Sequence, residues 1–246
     1  MSFPPANSLR DPTSITKTSP ATTPDTDLKA MNRKDWAIIR QHLKNAICQT
    51  VKQFQARPAD FLSENDIQAA LFTELRNEMC HLRMRYEASC DKDKRLGESL
   101  EISRVFTEYQ LASEGHCDIA ILGGEQDPDA PNIWAQPCRI GIEIKFWQAG
   151  ERHYWNEPRG PQKDVDKLQR YWQKRNEKGQ HFTGIAMLFR HPGAFPCPKM
   201  DETPSTDIEA AYPEDGVAIH LVSKESPRCD VVPVLKPIAV TAPILD

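Results

Sequence analysis

At 246 residues and 27.9 kDa, with 39% hydrophobic residues, the chain is long enough for one domain with a sizeable core. A net charge of −4 and a pI near 6.0 exclude a uniformly basic nucleic-acid coat, and no apolar run reaches the length of a membrane span. Seven scattered cysteines without a Cys-x-x-Cys exclude a zinc ribbon and argue against a disulfide framework, so a soluble protein of a reducing, cytoplasmic compartment is expected.

Residues 1–30 hold ten Ser/Thr and five Pro and almost no large apolar side chains. Such a segment buries too little surface to offset its ordering entropy, so a disordered tail is expected there, with residues 31–246 as the single folded domain. Trp36, Ile39, Leu43, Ile47, Val51 and Phe54 recur every three or four residues and predict an amphipathic helix over 32–55, ended by Arg57-Pro58. Ser63 then has N-cap spacing to Asp66, and Ile67, Leu71 and Leu75 form the buried stripe of a helix over 64–81. Glu64 falls on that stripe, and Glu74 and Glu78 fall beside it. An acid on an apolar face is at the rim, paired or functional, although Glu64 also suits the dipole of a first helical turn.

Alternation predicts a strand over 81–88. A charged loop is expected over 91–101, then strands over 104–111 and 117–122 with a turn at Gly115 between them. After a loop over 123–137 comes the central strand, 139–147. Residues 163–178 predict a helix with Val165, Leu168 and Trp172 inward and Gly179 at its end. The nearly continuous apolar run 182–189 predicts a buried strand, and 216–222 a last one. This succession predicts an α/β fold with a mixed sheet between helices.

The chemistry gathers between Ser113 and Trp147. Residues two apart in a strand share a face, which gives Ile140, Ile142, Ile144 and Phe146 to the core and Gly141, Glu143, Lys145 and Trp147 to the other side. Pairing with the strand that Asp118 opens brings a second carboxylate beside Glu143. Two such carboxylates with the Ile144 carbonyl make an oxygen ligand set for Mg²⁺, with Mn²⁺ as a substitute. Lys145 is then placed to orient a water or hold a phosphate as a point charge. Read alone, Glu143 and Lys145 are an ordinary charged strand face.

Glu143-Ile144-Lys145 is the chain's one Glu-x-Lys tripeptide. It lies in an apolar strand, follows the strand opened by Asp118 and the acidic helix start at Glu64, and precedes a basic helix. In this pattern the chain resembles the PD-(D/E)XK nuclease superfamily over roughly residues 63–189. The resemblance implies a restriction-endonuclease-like αβββαβ core, a mixed central sheet flanked by helices. It implies Asp118 and Glu143 as metal-binding acids, Lys145 as the motif lysine, and Glu64 as the helix acid, with Glu74 competing for that place. Cys117 stands where the pattern often has Pro.

The implied activity is that of a Mg²⁺-dependent endodeoxyribonuclease, restriction- or defence-like. A nuclease toxin, and a non-catalytic nucleic-acid-binding or regulatory module on the same fold, are the alternatives. Double-strand cutting implies a homodimer. Between Arg139 and Arg190 stand eleven Lys/Arg against six Asp/Glu, a local net charge of +5 on an acidic chain. Within it Arg152, Arg159, Gln162, Lys163 and Lys167, interleaved with Tyr154 and Trp155, are the expected DNA contacts.

Overall fold

The computed structural model describes residues 24–88, 90–95, 97–150, 160–194, 212–223 and 234–235. The chain divides into two compact units, Met1–Asp35 and Trp36–Asp246. Helix α1 (Pro24–Ala56) begins in the first unit, within the stretch expected as a tail.

In the second unit, the apolar stripe of α1 from Trp36 to Phe54 is buried as its spacing predicts. Helix α2 (Glu64–Glu78) starts at the Ser63 cap, whose hydroxyl accepts from Asp66 N at 3.4 Å. Asp66 Oδ2 in turn accepts from Leu62 N at 2.9 Å and from the Ser63 hydroxyl at 3.0 Å. Next come β1 (Arg83–Glu87), the short helix α3 (Asp91–Lys94) and β2 (Ser99–Ser103). The expected loop over 91–101 therefore holds a helical turn and most of a strand. Leu100 and Ile102 register against Tyr86 and Met84 and build a separate two-stranded sheet.

The main sheet has five full strands in the order β3 (Val105–Gln110), β4 (His116–Leu122), β5 (Cys138–Trp147), β6 (Thr183–Arg190) and β7 (Gly216–Ser223). The two-residue β8 (Val234–Leu235) lies beside β7. Pairs β3–β4 and β4–β5 are antiparallel, and β5–β6 and β6–β7 are parallel. Helix α4 (Pro161–Asn176) is the crossover that the parallel β5–β6 pair requires.

The sheet separates two cores. On one face Ile140, Ile142, Ile144 and Phe146 pack with Ile185, Met187 and Phe189 under α1 and α2. On the other, Ala186, Leu188 and Trp147 pack with Val165, Leu168 and Tyr171 of α4. Burial on both faces explains why β6 reads as continuous apolar sequence. Tyr171, not Trp172, completes the buried stripe of α4. Trp172 is only half-buried, and its Nε1 donates to Asp215 Oδ1 at 2.9 Å.

Helix α4 lies close to the sheet because Gly141 and Gly184 lie beneath it. A Cβ at Gly184 would stand 3.0 Å from Leu168 Cβ and 3.1 Å from Val217 Cγ2. Gly184→Ala is accordingly expected to lower stability by about 1–3 kcal/mol through overpacking, read as a drop in the midpoint of a urea melt.

Candidate active site

The strand β4 changes partners along its length. Its pairing with β5 runs from Leu122 back to Ile119↔Ile142, while its pairing with β3 continues to Gln110↔His116. Beyond Ile119 the β4–β5 ladder stops, and the Asp118 side chain takes over. Ile144 N–H donates to Asp118 Oδ2 at 2.6 Å, so a carboxylate replaces the missing backbone acceptor. Glu108, at φ +50°, stands between the Thr107↔Ile119 and Tyr109↔Cys117 pairs, opposite Asp118. Gln68, one turn along α2 from Glu64, donates to the Asp118 carbonyl at 2.8 Å and to Glu108 Oε1 at 2.9 Å. The backbone position of Asp118 is thus fixed from the helix side.

Glu143 alternates onto the α4 face and is 3% exposed. Lys167 of α4 meets it, with Nζ 2.7 Å from Glu143 Oε1. The same ammonium donates to the His116 carbonyl at 2.7 Å and lies 3.8 Å from Asp164 Oδ1. Lys145 Nζ lies 3.3 Å from Glu64 Oε2 and 3.2 Å from Asp164 Oδ2, joining α2 and α4 at the open end of the β4–β5 ladder.

Glu64, Asp118, Glu143 and Asp164 thus face two ammonium groups. Burial pushes Asp118 up to about 6, against the opposing pull of the Ile144 N–H, Lys145 and Lys167. Burial also pushes Glu143 up to about 8, and the neighbouring Asp118 carboxylate adds to the rise, while Lys167 opposes it. Burial depresses the Lys145 ammonium, but Asp164 and Glu64 outweigh this and leave it above its ordinary value. Lys145 is therefore a firm cation at neutral pH.

Glu64 is the α2 acid that reaches this centre. Glu74 instead accepts from Gln53 Nε2 at 2.8 Å, and Glu78 lies 3.0 Å from His42 Nδ1, both against α1. Of the expected DNA contacts, Lys163 is exposed on the first turn of α4, and Gln162 Nε2 donates to Asp166 Oδ1 at 2.5 Å. Lys167 corrects its expected place. It turns inward to Glu143, because the surplus of buried carboxylate there outweighs solvation of one ammonium. Arg152 and Arg159, with Tyr154 and Trp155, lie outside the described residues.

Sequence reasoning passed over Asp164, Gln68 and Glu108. The first two had a legible cue. Asp164, Lys167 and Tyr171 follow one another at three- and four-residue spacing along the edge of the α4 stripe, and Gln68 is four residues beyond Glu64. Glu108 owes its place to an unusual backbone angle that spacing does not encode.

Among the described residues, no three His, Cys, Asp or Glu side chains gather closely enough to hold a metal ion alone. Mg²⁺ does not need three, since it is commonly held by one or two carboxylates together with waters and substrate phosphate. The residues present fit that smaller set. Asp118 and Glu143 are near enough to repel each other, and Glu143 Oε1 is buried against the Lys167 ammonium. The Ile144 N–H points at Asp118, and a strand residue's carbonyl lies on the same side as its N–H, so that carbonyl faces the same gap. Among the described residues, no helix is long and apolar enough to cross a membrane. No family model, no curated protein and no solved structure matches this chain.

Proposed function

We propose that the chain is a divalent-metal-dependent nuclease that hydrolyses phosphodiester bonds in DNA. The observation that carries this reading is the pair of half-buried Asp118 and buried Glu143, two mutually repelling carboxylates on adjacent strands with a firm ammonium, Lys145, two residues beyond Glu143. Two carboxylates that burial drives towards protonation are held without enough nearby positive charge, which a divalent cation would supply. With the separate β1–β2 sheet and α3 set aside, α2, β3, β4, β5, α4 and β6 follow one another in the order of the αβββαβ core that the resemblance to PD-(D/E)XK nucleases implies.

Asp118 and Glu143 would hold the metal, with the Ile144 carbonyl beside them. A bound Mg²⁺ supplies Lewis-acid polarisation of the phosphate and a more acidic bound water. The remaining work falls to the chain. Asp118 Oδ2 is fixed by the Ile144 N–H, which would hold the carboxylate in place for a metal. Lys145, kept charged by Glu64 and Asp164, donates N–H to a phosphate oxygen or to the attacking water and does not act as a base. Lys163, Arg152 and Arg159 are the proposed grip on the rest of the DNA backbone.

The test is plasmid and single-stranded DNA incubated with the full chain in Mg²⁺ and, separately, in EDTA. Cleavage is expected in Mg²⁺ alone. Glu143→Ala and Lys145→Ala are expected to lower it by about a hundredfold or more. Glu64→Ala is expected to lower it as well, whereas Glu74→Ala should keep activity, because Glu74 only joins α2 to α1. Cleavage in EDTA, or equal cleavage by the Glu143 and Lys145 variants, would overturn the reading.

A further inference from the structure

Two lysines enter this centre, and they are held differently. Lys145 is shared by two carboxylates, Glu64 and Asp164. Lys167 lies closest to one carboxylate, Glu143 Oε1 at 2.7 Å, and to the uncharged His116 carbonyl at 2.7 Å, with Asp164 Oδ1 farther off at 3.8 Å. That Glu143 oxygen is buried, and the Lys167 ammonium is the cation held against it. Lys167 is also mostly buried, its side chain 16% exposed, so little water screens it from whatever else approaches Glu143.

We propose that Lys167 is the resident counter-ion of the metal-free centre, and that its ammonium and a divalent cation compete for Glu143. The inference rests on the metal-dependent reading above and adds a residue to it. A second cation on the same carboxylate stands within a few ångström of the first, where like charges repel strongly at low dielectric. Loading the centre therefore requires Lys167 to leave Glu143. Its flexible four-carbon stem allows this, whereas Lys145 stays anchored between its two acids. The metal-free protein is thereby spared a bare buried carboxylate, and the cost is weaker metal affinity.

The experiment measures Mn²⁺ binding to the full chain without nucleic acid, following the free-ion signal by electron paramagnetic resonance. Lys167→Met is expected to bind Mn²⁺ about tenfold more tightly than wild type, the size of a typical coupling between two sites. Lys167→Gln keeps a donor for the His116 carbonyl and is expected to behave alike, which covers the case in which the methionine variant does not fold. Lys167→Arg keeps the charge and should remain near wild type. Lys163→Met removes an exposed charge one turn away and should change affinity by less than about twofold, separating competition from general electrostatics. Unchanged or weaker binding in folded Lys167 variants, or equal tightening by Lys163→Met, overturns the counter-ion role and leaves the nuclease reading standing. No Mn²⁺ binding by wild type or any variant, or binding indifferent to Glu143→Ala, overturns both.

Discussion

Asp118→Asn and Lys145→Ala are both expected to lower DNA cleavage by about a hundredfold or more, but to fail in different ways. Asparagine at 118 keeps an oxygen for the Ile144 N–H, so the splice that replaces the β4–β5 ladder survives. What it loses is the negative charge. Metal binding and cleavage should therefore fall together, cleavage by about a thousandfold, the equivalent of several kcal/mol of charge stabilisation. Lys145→Ala leaves both ligand carboxylates in place and removes an ammonium that would otherwise oppose a metal. Mn²⁺ binding should persist or tighten, while kcat falls by about 10²–10³, the usual worth of one donor that stabilises developing charge. Parallel titrations of metal binding and cleavage rate distinguish the two. Loss of Mn²⁺ binding in a folded Lys145→Ala protein would show that the lysine supports the ligand set rather than the substrate.

The parts of this arrangement that were legible in the sequence are those governed by short-range periodicity. Alternation along 140–147 separates Ile144 from Glu143, and the structure puts Ile144 in one core and Glu143 on the α4 face. The Ser63 cap sets the start of α2, which aims Glu64 at Lys145. The rest depends on distances between elements. Glu64, Glu74 and Glu78 lie on or beside one apolar stripe in sequence, and only the packing of α1 along the C-terminal part of α2 assigns the last two elsewhere. Lys167 shows the same limit. In sequence it is one of several cations on a basic helix, and its inward turn follows from where Glu143 lies across the crossover. Strand β2 was hidden because its half-buried alternation sits among charges that read as loop.

A site assembled for charge is expected to weaken the fold that carries it, and Glu143→Gln tests this directly. In the unfolded chain a glutamate loses its proton near 4.5, whereas burial and Asp118 hold Glu143 at about 8 in the fold. For an acid whose folded value is raised, the penalty is absent below the unfolded value, grows as pH rises, and is complete above the folded value. Metal-free wild type should accordingly lose stability between about pH 4.5 and pH 8, the reverse of an acid held low by a salt bridge. At 1.36 kcal/mol for each tenfold change in proton affinity, the cost is on the order of 4 kcal/mol at pH 8. Glutamine cannot ionise, but it leaves Lys167 without its carboxylate, so the net gain should be about 1–2 kcal/mol. Urea melts in EDTA should show Glu143→Gln more stable than wild type at pH 8 and no more stable at pH 5. Mg²⁺ should recover stability in wild type at pH 8 and not in the variant, because only the ionised carboxylate gains by binding it. A variant less stable than wild type at pH 8 in EDTA would show that Lys167 already neutralises Glu143 fully, and that the charge there has no need of a metal.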